Sequence, residues 1–187
     1  MKKDTQHTLG LTTRLLHWLI AITILVLIPM GISMEEYKVW FLYPIHKSIG
    51  MLILFPVLIR VVWRVMNGWP ASVASTNVRW QQKLARWVHW ILIVSTVLMP
   101  VSGMMMSGFG GYGLAIFGFE LVGANPDPAQ PGEMLAYNET LSSFAYQLHG
   151  ALGTVLIVVI SLHIAAALKH HFIDGDNVLK RMMGRQD

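Results

Sequence analysis

Four long stretches nearly free of formal charge limit what this chain can fold into. Residues 15–34, 87–119 and 140–168 contain no Asp, Glu, Lys or Arg, and residues 39–59 contain only Lys47. About 20 consecutive apolar residues cross a hydrocarbon core as a helix, so the spacing predicts four transmembrane helices at about 14–34, 44–64, 87–107 and 145–168. The chain is 54% hydrophobic and 13% charged, about half the charged fraction of a soluble domain. The first apolar run is too long for a cleaved signal peptide, and no small-residue cleavage site follows it. The expectation is one all-α membrane domain over residues 1–187, a four-transmembrane-helix bundle without a second sizeable domain.

Basic residues give the expected orientation. Lys2, Lys3 and Arg14 precede the first helix, and Arg60, Arg64, Arg79, Lys83 and Arg86 flank the second connection. Lys169, Lys180, Arg181 and Arg185 follow the last helix, and only Lys38 and Lys47 fall on the other side. The positive-inside rule then makes both termini cytoplasmic. The basic excess reads as a topology signal, not as a nucleic-acid surface. The outer connection of about 108–144 opens with an apolar, glycine-rich run expected to lie at the interface or cap the bundle. Residues 125–132 read as loop. Asn138-Glu-Thr140 matches a glycosylation sequon that reads as incidental.

The chain repeats itself. Arg14-Leu-Leu-His17-Trp18 opens the first helix and Arg86-Trp-Val-His89-Trp90 the third, with Gly31 and Gly103 fourteen residues after each His. His46-Lys-Ser-Ile-Gly50 in the second helix answers His149-Gly-Ala-Leu-Gly153 in the fourth. This is a parallel repeat about an axis along the membrane normal. It breaks where His163 follows His149 by fourteen residues while Arg60 follows His46.

Eight histidines accompany a complete absence of cysteine. Disulfides, thiolate clusters and covalent c-type haem are therefore excluded. His149 and His163 return to one helix face within about 40° and lie about 21 Å apart along it. Helix direction puts His17 level with His163 near the inner surface, and His46 level with His149 near the outer one. Two imidazoles flanking a flat macrocycle are the ligands of a b-type haem, and bundles hold such groups between facing helices. Two depths imply two b haems. Gly50 and Gly153, one turn from their histidines, would let a porphyrin approach the backbone. Helix packing is the plainer role for a membrane glycine. Zinc and a proton relay are alternatives, but zinc sites normally take three or four protein ligands at one level and intramembrane carboxylates are missing.

The same residues resemble the bacterial cytochrome b561 family over nearly the whole chain. The most specific stretch is Leu162-His163-Ile-Ala-Ala-Ala-Leu-Lys169-His170-His171-Phe172, followed by Asp176-Asn177 and Leu179-x-Arg181-Met182-Met183. The resemblance implies a di-haem b protein of the bacterial inner membrane that exchanges electrons with ubiquinone. It implies His17 and His163 as ligands of the inner haem and His46 and His149 of the outer one. One type of member is a superoxide oxidase. A looser likeness extends to the cytochrome b subunits of membrane hydrogenases and formate dehydrogenases.

Other residues receive expectations of their own. Arg14, Arg60 and Arg64 are candidates beside the inner haem propionates, with Arg60 the deepest, and Lys47 beside the outer. His89 is an unpaired remnant of the repeat that could bond a propionate or line a quinone pocket, with His170 and Lys169 nearby. His171 and His7 read as peripheral. Met104, Met105 and Met106 read as membrane-facing or gap-filling, since four histidines already supply the ligands. Two donors stay open: superoxide, or a periplasmic protein that docks on the acidic outer segments. A haem-free, His-based ion transporter is the third class.

Overall fold

The computed structural model describes residue 4, residues 8–68 and residues 79–184. Four helices are long and apolar enough to cross a membrane. They are α1 (Leu11–Tyr37), α2 (Leu42–Asn67), α3 (Arg79–Phe109) and α4 (Glu139–Phe172). Between α3 and α4 lie the strands β1 (Leu114–Ile116) and β2 (Phe119–Val122), and a short α5 (Val178–Met183) follows α4. His7, Lys2, Lys3 and Arg185 lie outside the described residues.

The helices run past the apolar stretches that announce them. The four contain 27, 26, 31 and 34 residues, about 39–51 Å at 1.5 Å per residue against a hydrocarbon core of about 30 Å. The apolar span sets what the bilayer holds, while backbone hydrogen bonding carries the helix on into water. α4 starts at Glu139 instead of near 145 because Asn138 caps it, its Oδ1 accepting from Leu141 N at 3.0 Å. The sequon asparagine is therefore a helix cap. The four-helix membrane bundle is as expected, and its outer connection adds a short antiparallel hairpin of β1 and β2. Residues 125–132 form no strand or helix of their own, apart from an isolated bridge of Pro126 to Met134.

The close helix pairs are α1–α2, α2–α3 and α3–α4, with β1 packed on α2 and α5 on α4. Ile20, Ile53 and Val57 form a small buried centre lined by Ile24, Leu27 and Val97. Leu11, Asn67, Arg79 and Phe172 share one end of the bundle, here the terminal end; the hairpin occupies the other. The terminal end is tied by Asp4. Its carboxylate accepts from Gly10 N at 2.8 Å and from Thr13 Oγ1 at 2.9 Å, and faces Arg64 Nη1 at 3.5 Å. Trp63 Nε1 donates to the same Thr13 hydroxyl at 2.9 Å. Trp18 Nε1 donates to Met182 O at 3.1 Å, which holds α5 against α1.

Candidate functional site

At the terminal end, each long helix contributes one chemically active side chain. The ring centres of His17 on α1 and His163 on α4 are 6.4 Å apart at an interplanar angle of 60°. His89 on α3 lies 5.4 Å from His163. Arg60 on α2 places Nη2 3.1 Å from His17 Nδ1. Nδ1 of His89 donates to Ala85 O at 2.6 Å, leaving Nε2 as an acceptor.

At the hairpin end, His46 on α2 and His149 on α4 face each other with ring centres 6.3 Å apart at 72°. His149 Nδ1 lies 3.1 Å from both Met99 O and Ser102 Oγ. A carbonyl only accepts, so this nitrogen carries the proton and Nε2 keeps its electron pair. Such outer hydrogen bonds fix the tautomer of ligating histidines. The Nδ1 of His46 is buried and has no hydrogen-bond partner among the described residues.

The two separations suit ligation of one metal ion between each pair as well as they suit ring packing. Imidazoles that each bind one metal ion at about 2 Å through a ring nitrogen have centres about 6 Å apart. Both His pairs meet that separation, and His89 stands nearer to His163, at 5.4 Å. The pairs join α1 to α4 and α2 to α4, and neither is among the closely packed helix pairs.

The glycines divide by role. A Cβ on Gly31 would stand 3.5 Å from His46 Cε1, and one on Gly103 would stand 3.2 Å from His149 Cε1. These two residues let α1 and α3 close onto the imidazoles. Beside Gly50 no atom lies within 4 Å of an added Cβ, and beside Gly153 the nearest is the flexible Met99 Cε at 3.5 Å. Among the described residues no neighbouring helix backbone presses on either one, so tight helix packing does not account for them.

A family model described as prokaryotic cytochrome b561 matches residues 8–185. This chain belongs to the prokaryotic cytochrome b561 family. It is therefore a multi-pass bacterial membrane protein of a family whose cofactor is b-type haem and whose activity is transmembrane electron transfer. It is 32% identical to "cytochrome b561 homolog 2" of Escherichia coli (strain K12), over 97% of this chain and 94% of that protein. It is 23% identical to "cytochrome b561 homolog 1" of the same organism, over 91% of this chain and 94% of the relative. It is 27% identical to "probable superoxide oxidase CybB" of Yersinia pestis, over 91% and 93% of the two chains.

Several charged residues of the cytochrome b561 fold are placed away from the histidine pairs. Lys47 Nζ contacts Gly113 O at 3.1 Å and Tyr112 O at 3.3 Å, so its ammonium holds the hairpin. Arg64 turns to Asp4 and to Gly68 O. His170 Nδ1 lies 2.8 Å from Asp174 and 3.2 Å from Asp176, with Lys169 Nζ 2.6 Å from Asp174. Met104, Met105 and Met106 are half-buried near the end of α3. Met99, Ser102, Asp4 and Thr13 are additions that no repeat or spacing marked.

Proposed function

We propose that the protein moves electrons across the bacterial inner membrane through two b haems and exchanges them with ubiquinone. His17 and His163 would hold one haem, His46 and His149 the other. The observation that carries this reading is the pair of ring separations, 6.4 and 6.3 Å, at opposite ends of the bundle. Bound haem supplies a one-electron change at iron that needs no proton from its axial ligands.

The chain's own groups prepare the two positions differently. At the hairpin end, Met99 O holds His149 in the tautomer that leaves Nε2 free to bind iron. At the terminal end, the Arg60 guanidinium can only donate, so His17 Nδ1 accepts. Were His17 to hold iron through Nε2, its Nδ1 would carry the ring proton and the half-buried Arg60 would lose that acceptor. A carboxylate such as a haem propionate is the partner that a guanidinium then needs. His89 has its Nε2 as an acceptor, on a ring beside His163, and His170 lies between the carboxylates of Asp174 and Asp176. These two are the groups we assign to accepting the hydroxyl proton of a quinol and to proton transfer at this end.

The distribution of basic residues supports cytoplasmic termini. Arg14, Arg60, Arg64, Lys83, Arg86, Lys169, Lys180 and Arg181 lie at the terminal end, against Lys38 and Lys47 at the hairpin end.

Purified, haem-loaded protein should give a reduced b-type spectrum and about two haems per chain by pyridine haemochrome. Colourless protein would refute the reading. The name of the Yersinia pestis relative favours superoxide as donor. A specific observation favours a basic protein donor. The hairpin end carries Glu35, Glu36, Glu120, Asp127, Glu133 and Glu139, while Lys38 pairs with Glu35 at 3.9 Å and Lys47 is engaged by carbonyls. An anion is poorly steered to such a surface. Stopped-flow mixing with superoxide and ubiquinone separates the two. Haem reduction above the uncatalysed rate assigns superoxide, and its absence assigns the protein donor.

A further inference from the structure

The hairpin of β1 and β2 turns at Phe117 and Gly118, both at positive φ (47° and 89°). Two left-handed residues in a two-residue loop make a type I′ turn, for which Asn-Gly or Asp-Gly is the low-energy choice. A bulky aromatic residue at positive φ is strained. Phe117 is nevertheless 64% exposed, and Phe119 on the adjoining strand is 71% exposed. In water, asparagine would relieve the backbone and lose no packing. Phenylalanine is favoured there only when its exposed ring meets an apolar phase.

The turn does not stand above the bundle. Phe117 N donates to Ser48 Oγ at 2.8 Å, and Ser48 lies six residues beyond Leu42, the start of α2, or about 9 Å along the axis. The 26 residues of α2 exceed the hydrocarbon thickness by about 9 Å in total, so Ser48 falls inside the hydrocarbon boundary when the overhang is shared. Backbone groups at that depth need protein partners. Ser107 Oγ donates to Gly113 O at 2.8 Å, Lys47 Nζ reaches Gly113 O at 3.1 Å, and Ser48 takes the Phe117 N–H. Strand alternation turns Phe119 and Leu121 to one face and Glu120 to the other. β1 packs on α2, whose own exposed apolar residues include Phe41, Leu52 and Phe55, so the hairpin continues a surface that already meets lipid.

We propose that the hairpin is a lipid anchor: Phe117, Phe119 and Leu121 insert among acyl chains just below the headgroups, beside the His46–His149 pair. The anchor does not depend on how many haems are bound. The absence of native cysteine allows a direct test. Phe119→Cys and Gln130→Cys, each carrying a nitroxide, are placed in the full-length, haem-loaded protein in phosphatidylcholine–phosphatidylglycerol vesicles. Collision with oxygen relative to a water-soluble nickel chelate should be several-fold higher at 119 than at 130. Leu121→Cys repeats the measurement where Phe119→Cys lowers the yield. Equal ratios at 119 and 130 would overturn the anchor. So would spin–spin broadening at 119 that disappears on dilution with unlabelled protein, since a second copy would then cover the patch. Adding Phe117→Asn to Leu121→Cys should lower the ratio at 121, and an unchanged ratio would show that the turn residue does not hold the hairpin in lipid.

Discussion

The carbonyl of Met99 stands 3.1 Å from Nδ1 of His149, and the Cα of Gly103, one helical turn further along α3, faces the same ring. One turn of α3 therefore sets both the tautomer and the position of an imidazole on α4. Gly103→Ala should disturb that ring, since the new Cβ would lie 3.2 Å from Cε1, whereas Gly31→Ala meets His46 at an ordinary 3.5 Å. The expected outcome is partial haem loss in the first variant and near-normal loading in the second. Gly103→Val should lose the hairpin-end haem entirely. Haem-to-protein ratios in purified membranes check the order, and equal loading of Gly103→Val and wild type would contradict it.

Histidine substitutions should divide into two sets. His46→Ala or His149→Ala should leave about one haem per chain, and His17→Ala or His163→Ala should leave the other one. Redox titration should give a different remaining midpoint for each set. His89→Ala should keep both haems, because His17 and His163 already face each other at 6.4 Å and His89 Nδ1 is taken by Ala85 O. Loss of a haem in His89→Ala would reassign the terminal pair.

Asp4 joins the start of α1 to α2 through Gly10 N, Thr13 and Arg64. Its side chain is 5% exposed and that of Arg64 13%, so Asp4→Ala leaves polar partners unsatisfied in a sparsely hydrated place. The expected destabilisation is on the order of 1–3 kcal/mol, read as a lower melting temperature in detergent. Asp4→Asn should recover part of it by keeping an acceptor for Gly10 and Thr13.

The segment after α4 should loosen in acid. Lys169, hydrogen-bonded to Asp174 at 2.6 and 2.9 Å, holds that carboxyl below its ordinary value, and His170 adds to the effect. A depressed folded value means that the tether is at full strength above the ordinary carboxylate range. It is lost as pH falls through the folded value. Hydrogen exchange of residues 173–183, corrected for intrinsic rates, should show protection fading on acidification. Asp174→Asn should exchange faster at neutral pH and respond less to acid, and an unaltered profile would remove Asp174 from that role.

The parts readable from sequence were those that a single periodicity encodes. Charge-free length announces a span, and a fourteen-residue spacing puts His149 and His163 on one face at two depths. The partners of these histidines followed from helix direction. Met99 and Asp4 escaped because a backbone carbonyl carries no side-chain signature and Asp4 acts through contacts made only once α1 and α2 have packed. The hairpin escaped because Phe117-Gly118 lacks the polar turn residue that marks most type I′ loops. Arg60 was singled out by depth, but its 3.1 Å contact with His17 depends on the α1–α2 packing and has no linear code.

The spacing of the first and last helices has a consequence for supply. Neither His pair bridges helices that pack closely on each other. Closure is thus left to whatever the imidazoles grip, and a group that binds only the assembled bundle shifts the assembly equilibrium by mass action. Under the proposed loading, the steady-state amount of the protein follows the cell's production of porphyrin as well as the rate of its own translation.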